Sequence, residues 1–201
     1  RQGKREIESE KYNRLVTFQK AVGIRRAELA RLTATDLTED ESGYLCVNVA
    51  KGKGGKRQLQ RILPEDEGTV IEIFQNADPG QKLFSKEEMQ NKIDLHGLRR
   101  EHAQRAYKYY ADRLENETEY KYELRKELAA RYREFHRPGD SNKRFLHDIM
   151  NEEPYRLRGE NRQKAIEQGK EAECNRLALM AVSVLHLSHW RPGVAVVNYL
   201  I

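Results

Sequence analysis

Cysteine is scarce in this chain, with only Cys46 and Cys174 among 201 residues. That excludes a disulfide framework and a close-spaced cysteine zinc pattern, and it points to a reducing compartment. Long apolar runs are missing too. No stretch approaches the ~18 residues of a membrane-spanning helix, and no signal peptide is legible. There is no internal repeat and no low-complexity linker. The first residue is Arg1 rather than Met, so the chain is expected to be a fragment of a longer protein.

Charge is what the chain has in quantity. Charged residues make up 34% and hydrophobic ones 38%, so much of the chain must be solvated surface or amphipathic helix. The formal charge of +5 and an isoelectric point near 9.1 favour a polyanionic partner, although many basic proteins bind no nucleic acid. The length of 201 residues fits one large domain or one and a half ordinary ones, enough to bury a real core.

Periodicity predicts the order of elements. Leu15, Phe18 and Val22 fall at helical spacing in a helix starting near Glu10 and ended by Gly23, after a polar, frayed stretch over 1–9. Residues 27–32 form a second short helix, and Asp36 to Gly43 a turn. Tyr44 to Val49 reads as a strand with its return partner over 58–63. Between them Lys51, Lys53, Lys56 and Arg57 sit on a glycine-rich hairpin tip. A helix is expected over 66–75, a turn at Asp78-Pro79-Gly80, and a helix from Leu98 through about Leu114. Residues 111–170 differ in character, with fourteen Lys or Arg against thirteen Asp or Glu and only scattered apolar positions. They read as a helical insertion with breaks at Pro138-Gly139 and Glu153-Pro154. An apolar helix resumes over 175–187. The fold class expected is mostly α with a small antiparallel β-sheet (α+β).

Four segments carry side chains suited to anion chemistry. In Ala21-Val22-Gly23-Ile24-Arg25-Arg26-Ala27-Glu28-Leu29, an arginine just past a helix-ending glycine can offer its fork to two phosphate oxygens, with Glu28 holding it. Two surface arginines at a helix start would look the same. The lysine-rich hairpin suits a DNA backbone, and one of its lysines can protonate a leaving alkoxide; a solvated turn is the plainer reading. It is no P-loop, because neither Ser nor Thr follows Lys56. In Leu95-His96-Gly97-Leu98-Arg99-Arg100-Glu101-His102, His96 and Arg99 share a face near the positive end of a helix. His96 and His102 lack a third ligand for zinc. The last segment is Leu187-Ser188-His189-Trp190-Arg191, followed by Asn198-Tyr199-Leu200. Here His189 can contact phosphate with Trp190 packed beneath it, and Tyr199 can act as a nucleophile. His186 and Tyr107, Tyr109 and Tyr110 are read as structural.

In this order the segments resemble the tyrosine recombinase family, the phage-type integrases and Xer- and Cre-like enzymes. Ala-Val-Gly-Ile-Arg-Arg-Ala-Glu-Leu is similar to the first arginine box, Lys-Gly-Lys-Gly-Gly-Lys to the β2–β3 lysine hairpin, and His-Gly-Leu-Arg to the second box. Leu-Ser-His-Trp-Arg and Asn-Tyr-Leu are similar to the third box and nucleophile. The likeness runs from about residue 21 to 199, and its flavour is similar to conjugative-transposon integrases of Gram-positive bacteria. Three features depart from the pattern. Ser188 stands where a glycine is usual, Lys51 competes with Lys53 for the acid's place, and the interval from Arg99 to His189 is long.

The resemblance implies a catalytic domain over residues 1–201 with an insertion at about 111–170, lacking the N-terminal DNA-binding domain. It implies catalytic roles for Arg25, Lys53, His96, Arg99, His189 and Tyr199. Arg26, Lys51, Lys56, Arg57 and Arg191 become candidate DNA contacts. Site-specific DNA recombination or integration follows, through a 3′-phosphotyrosyl intermediate, with no metal, cofactor or ATP. Double-stranded DNA is the expected partner, with four protomers on paired sites and accessory DNA-bending or directionality factors, in the bacterial cytoplasm at the nucleoid. The rivals are relaxation by a type IB topoisomerase and an inactive DNA-binding relative.

Overall fold

Helix α1 (Asn13–Val22) buries Leu15, Phe18 and Val22 completely. Each such side chain contributes roughly 1.5–3 kcal/mol by leaving water. The helix stops at Gly23, whose left-handed φ of 64° lets its N–H donate to the Gln19 carbonyl at 2.8 Å. The computed structural model describes residues 12–52, 55, 57–136 and 143–200. The helix start expected near Glu10, the frayed residues 1–9 and the Pro138-Gly139 break lie outside them. The chain divides into two units, Arg1–Ala103 and Gln104–Ile201.

In the first unit, helix α2 (Arg26–Leu29) follows Gly23 closely. Strands β1 (Leu37–Glu39), β2 (Leu45–Val49) and β3 (Gln58–Arg61) form an antiparallel sheet in the order β1-β2-β3. The expected hairpin is β2–β3, with Cys46 opposite Arg61 and Val49 opposite Gln58. Strand β1 was unforeseen, because Leu37-Thr38-Glu39 shows no apolar alternation and reads as part of a turn. It forms because Leu37 pairs with Val47 and Glu39 with Leu45, an edge position where half-exposed polar residues are tolerated. A buried ion pair closes the β1–β2 turn. Arg61 Nε donates to Asp40 Oδ2 at 2.6 Å and its guanidinium lies 3.9 Å from the Tyr44 ring centroid. Asp40 Oδ1 accepts from the backbone of Ser42 and Tyr44 at 3.0 and 3.1 Å.

A 3₁₀ turn (Pro64–Asp66) leads into helix α3 (Glu67–Gln75). The expected turn at 78–80 is closed by Gln81 N–H donating to the Asp78 carbonyl at 3.1 Å. Helix α4 (Lys86–Met89) is capped by Ser85, whose Oγ accepts from Glu88 N–H at 3.1 Å. Phe18, Phe74 and Phe84 meet at the centre of the core, with Phe18 5.9 Å from Phe74 and 5.1 Å from Phe84. Helix α5 (Leu95–Asn116) starts three residues earlier than its apolar pattern suggested. Asp94 supplies the start, its Oδ1 accepting from Gly97 N–H at 2.9 Å. The division between the units falls within α5.

The second unit holds helices α6 (Tyr120–Phe135), α7 (Lys143–Met150) and α8 (Gly159–Glu167). Strands β4 (Tyr155–Arg156) and β5 (Glu173–Cys174) pair around α8, a two-residue ribbon too short to leave a sequence pattern. Helix α9 (Arg176–Ala181) runs on into a π-helical turn, Val182–His186, and helix α10 (Pro192–Ala195) into a second, Val196–Leu200. Residues 111–170 are mostly helical, as expected. Their buried Tyr120, Leu124, Leu128, Tyr132, Phe145 and Ile149 form the core of this unit together with Leu177, Leu179 and Leu185. Among the described residues the chain is thus mostly helical with small antiparallel sheets, an α+β protein. No helix of them is long and apolar enough to cross a membrane.

Candidate functional site

Arg25, His96 and Arg99 line one cleft in the first unit, about 320 Å³ in volume, with Ile24, Arg26, Ile93, Asp94 and Leu95 completing the wall. Two helix starts build it. Arg25 caps α2 in extended conformation, and its carbonyl accepts from the N–H groups of Glu28 and Leu29. Its own N–H and Nη1 reach Glu28, at 3.3 Å to Oε2 and 2.9 Å to Oε1. Glu28 is only 3% exposed, so this two-point grip holds better than a solvated pair would. The expected hold of Glu28 on Arg25 is therefore present.

Arg99 is 1% exposed. Its Nη1 donates to the Gly23 carbonyl, and Gln60 Oε1 lies 3.4 Å from the same nitrogen. Gly23 therefore does two jobs: it ends α1, and it offers its carbonyl to an arginine 76 positions along the chain. His102 packs directly over it, since a Cβ built on Gly23 would sit 2.7 Å from the imidazole Cδ2. His102 is itself buried, with Nδ1 3.1 Å from the Lys20 carbonyl. His96 is exposed in the first turn of α5, one turn before Arg99. That turn is where the amide ends of the helix favour an anion.

The candidate DNA contacts have different settings. Arg26 directs its guanidinium at the neighbouring loop, donating to the carbonyls of Met89, Asn91 and Ile93 and to Asn91 Oδ1 at 3.0–3.4 Å. It braces the rim of the cleft. Lys51 is exposed, and its carbonyl accepts from Arg31 at 2.9 Å. Arg57 is exposed and donates to Asn48 Oδ1 at 3.0 Å. Lys53 and Lys56 lie outside the described residues.

In the second unit His189 and Tyr199 lie near each other, ring centroids 6.1 Å apart and planes at 45°. Tyr199 sits in the second π-helical turn and is 5% exposed. His189 follows the first, its N–H donating to the Ser183 carbonyl at 2.6 Å. Ser188 has a φ of 49°, the only non-glycine residue in the left-handed region among those described. Its Oγ is buried with no protein partner. His186 is buried, its Nε2 3.0 Å from the Tyr110 hydroxyl, which fits the structural role expected of both. Trp190 packs among Tyr132, Phe135, His136 and Phe145, with centroids 4.4–6.2 Å away. Arg191 is exposed just ahead of α10. Arg25, His96 and Arg99 thus come together in one unit, and His189 and Tyr199 in the other.

Three buried glutamines, Gln19, Gln58 and Gln60, adjoin the cleft residues and were not anticipated. The available signal was Gln19 itself, an amide on the Leu15–Phe18–Val22 stripe. Set against models of known protein families, curated proteins and solved structures, the chain matches none.

Proposed function

We propose that the chain is the catalytic part of a tyrosine-type enzyme that breaks and rejoins DNA in site-specific recombination. The observation that supports it most is the convergence of Arg25, His96 and Arg99 on one cleft. Two arginine forks and an imidazole at a helix start match the non-bridging oxygens of a phosphodiester. The 6.1 Å approach of His189 to Tyr199 adds a second pair in the order the family likeness requires.

Phosphodiester cleavage builds negative charge in a five-coordinate transition state, so catalysis is mainly positioning and charge stabilisation. Arg25 and Arg99 each supply on the order of 4–7 kcal/mol of that stabilisation, by analogy with arginine fingers. A free tyrosine, with a pKa of about 10, is ionised in roughly one molecule per thousand at pH 7. Tyr199 therefore needs cationic neighbours or a base as it attacks, and the family likeness offers His96 as the candidate base. The phenolic oxygen forms a bond to phosphorus while the bond to the 5′ oxygen breaks, and the hairpin lysine, Lys53, protonates the leaving 5′ oxygen. His189 donates to a non-bridging oxygen. The phosphotyrosyl ester keeps the bond energy, so a 5′-hydroxyl of another strand can reseal it without ATP.

The test is a nicked DNA substrate from which the short leaving strand diffuses away, incubated with the full-length protein. The expected outcome is a covalent protein–DNA adduct that the Tyr199→Phe variant fails to form while still binding DNA. An adduct that survives Tyr199→Phe would remove the nucleophile from the scheme, and its absence from the unaltered protein would remove the activity.

A further inference from the structure

We propose that Gln19, assisted by Gln58 and Gln60, is a positioning residue that sets the geometry of the Arg25–His96–Arg99 cleft; the inference rests on reading that cleft as a phosphate site. Gln19 is fully buried. Its Nε2 donates to the Ile24 carbonyl at 2.7 Å and to the Leu95 carbonyl at 2.8 Å. These are the carbonyls immediately before Arg25 and His96. An amide nitrogen has two protons, and both are committed here. One side chain thus clips together the two backbone segments that carry the cations, which are far apart in sequence.

Gln58 and Gln60 act one step later, on the guanidinium groups. As alternate residues of β3 they face the same way. Gln58 Oε1 lies 3.5 Å from Arg25 Nη1, and Gln60 Oε1 lies 3.4 Å from Arg99 Nη1. Both contacts are long for N–H···O hydrogen bonds, so they orient the guanidinium groups more than they hold them. Gly52, on the shoulder of the lysine hairpin, rests against the Gln58 amide so closely that a Cβ there would come within 2.3 Å. The hairpin and Arg25 therefore share one support.

Packing alone does not account for these amides. Gln19 Oε1 and Gln60 Nε2 are buried with no protein hydrogen-bond partner, an arrangement that burdens folding. Leucine or methionine would fill much the same space with no orphaned amide atom, so what the glutamines add is the bonds to the Ile24 and Leu95 carbonyls and to Arg99. The three are the buried amide side chains among the described residues, and all three touch the segments or side chains of one cleft.

The test compares full-length wild type with Gln19→Met and Gln60→Leu, each first shown to melt as a folded protein. Gln60→Leu serves if Gln19→Met fails to fold. Adduct formation on nicked DNA is measured at saturating DNA, alongside the DNA dissociation constant. Inorganic phosphate is titrated separately while the arginine Nε–Hε resonances are followed. The expected result is adduct formation slower by on the order of 10- to 100-fold, DNA affinity within about twofold, and phosphate bound about tenfold more weakly. Folded variants that react as fast as wild type overturn the inference and leave the proposed activity standing. If wild type forms no adduct, the proposed activity fails and the phosphate titration decides: weaker binding by the variants supports the positioning role. Equal binding, or no phosphate-dependent shift in wild type, overturns it.

Discussion

Ser188 carries a cost that its neighbours do not. A side chain at φ 49° brings its Cβ against the following carbonyl, at roughly 1–2 kcal/mol for an L-residue. The Oγ beside it is buried without a protein partner. Ser188→Gly removes both burdens, offset in part by the greater freedom of glycine in the unfolded chain. It should stabilise the protein by roughly 0.5–1 kcal/mol, read as a higher urea midpoint at unchanged slope. Ser188 thus adopts a backbone conformation that favours glycine. Cys174 gives a chemical prediction at the same scale. Burial pushes its thiol up to about 11, with the nearby Glu171 acting in the same direction and Arg176 against it. The thiolate is the reactive form, so at pH 8 alkylation of Cys174 by iodoacetamide should run on the order of 100-fold slower than that of a free cysteine. Mass mapping of a timed labelling reaction checks it.

Helix α1 and its glycine stop show how one element end serves the site. Gly23→Ala would place a methyl in the left-handed region and against the His102 ring. The backbone term alone is about 1–2 kcal/mol, and the clash adds to it, so a clear drop in melting temperature is expected. Adduct formation should fall with it, because the Gly23 carbonyl is what Arg99 grips. Helix α1 was legible because Leu15, Phe18 and Val22 mark one face and Gly23 marks its end, whereas the four-residue α4 is too short to show a period. Strand β1 was not, since an edge strand of polar residues has no periodic signature and depends on pairing with β2. Gln19, Gln58 and Gln60 were not readable as supports for another reason. An amide on an apolar face looks like an interruption until the carbonyls it serves are brought to it by the fold. The cleft's cations were readable as residue types in order, and so was Glu28 as the hold on Arg25, but the glutamine supports were not.

At the scale of the whole molecule, charge sets the expected behaviour with DNA. A chain of net charge +5 that neutralises phosphates releases counterions, so affinity should fall linearly in logarithm as salt rises. Replacing Lys51 or Arg57, both exposed beside the hairpin, should reduce that slope by about one each across unrelated sequences. Filter binding over a salt series reads it. The residues expected as an insertion share their core with the C-terminal stretch: Tyr132 of α6 and Phe145 of α7 close on Trp190. That pairing could not be read from near-balanced charge and scattered apolar positions, because each helix buries its face only once the last segment folds against it. Trp190 is the single tryptophan of the chain, held edge-on 4.4 Å from the His136 ring. Indole fluorescence therefore reports on the second unit alone, so an emission trace that parts company with the backbone circular dichroism during denaturation would time the two halves of the chain separately.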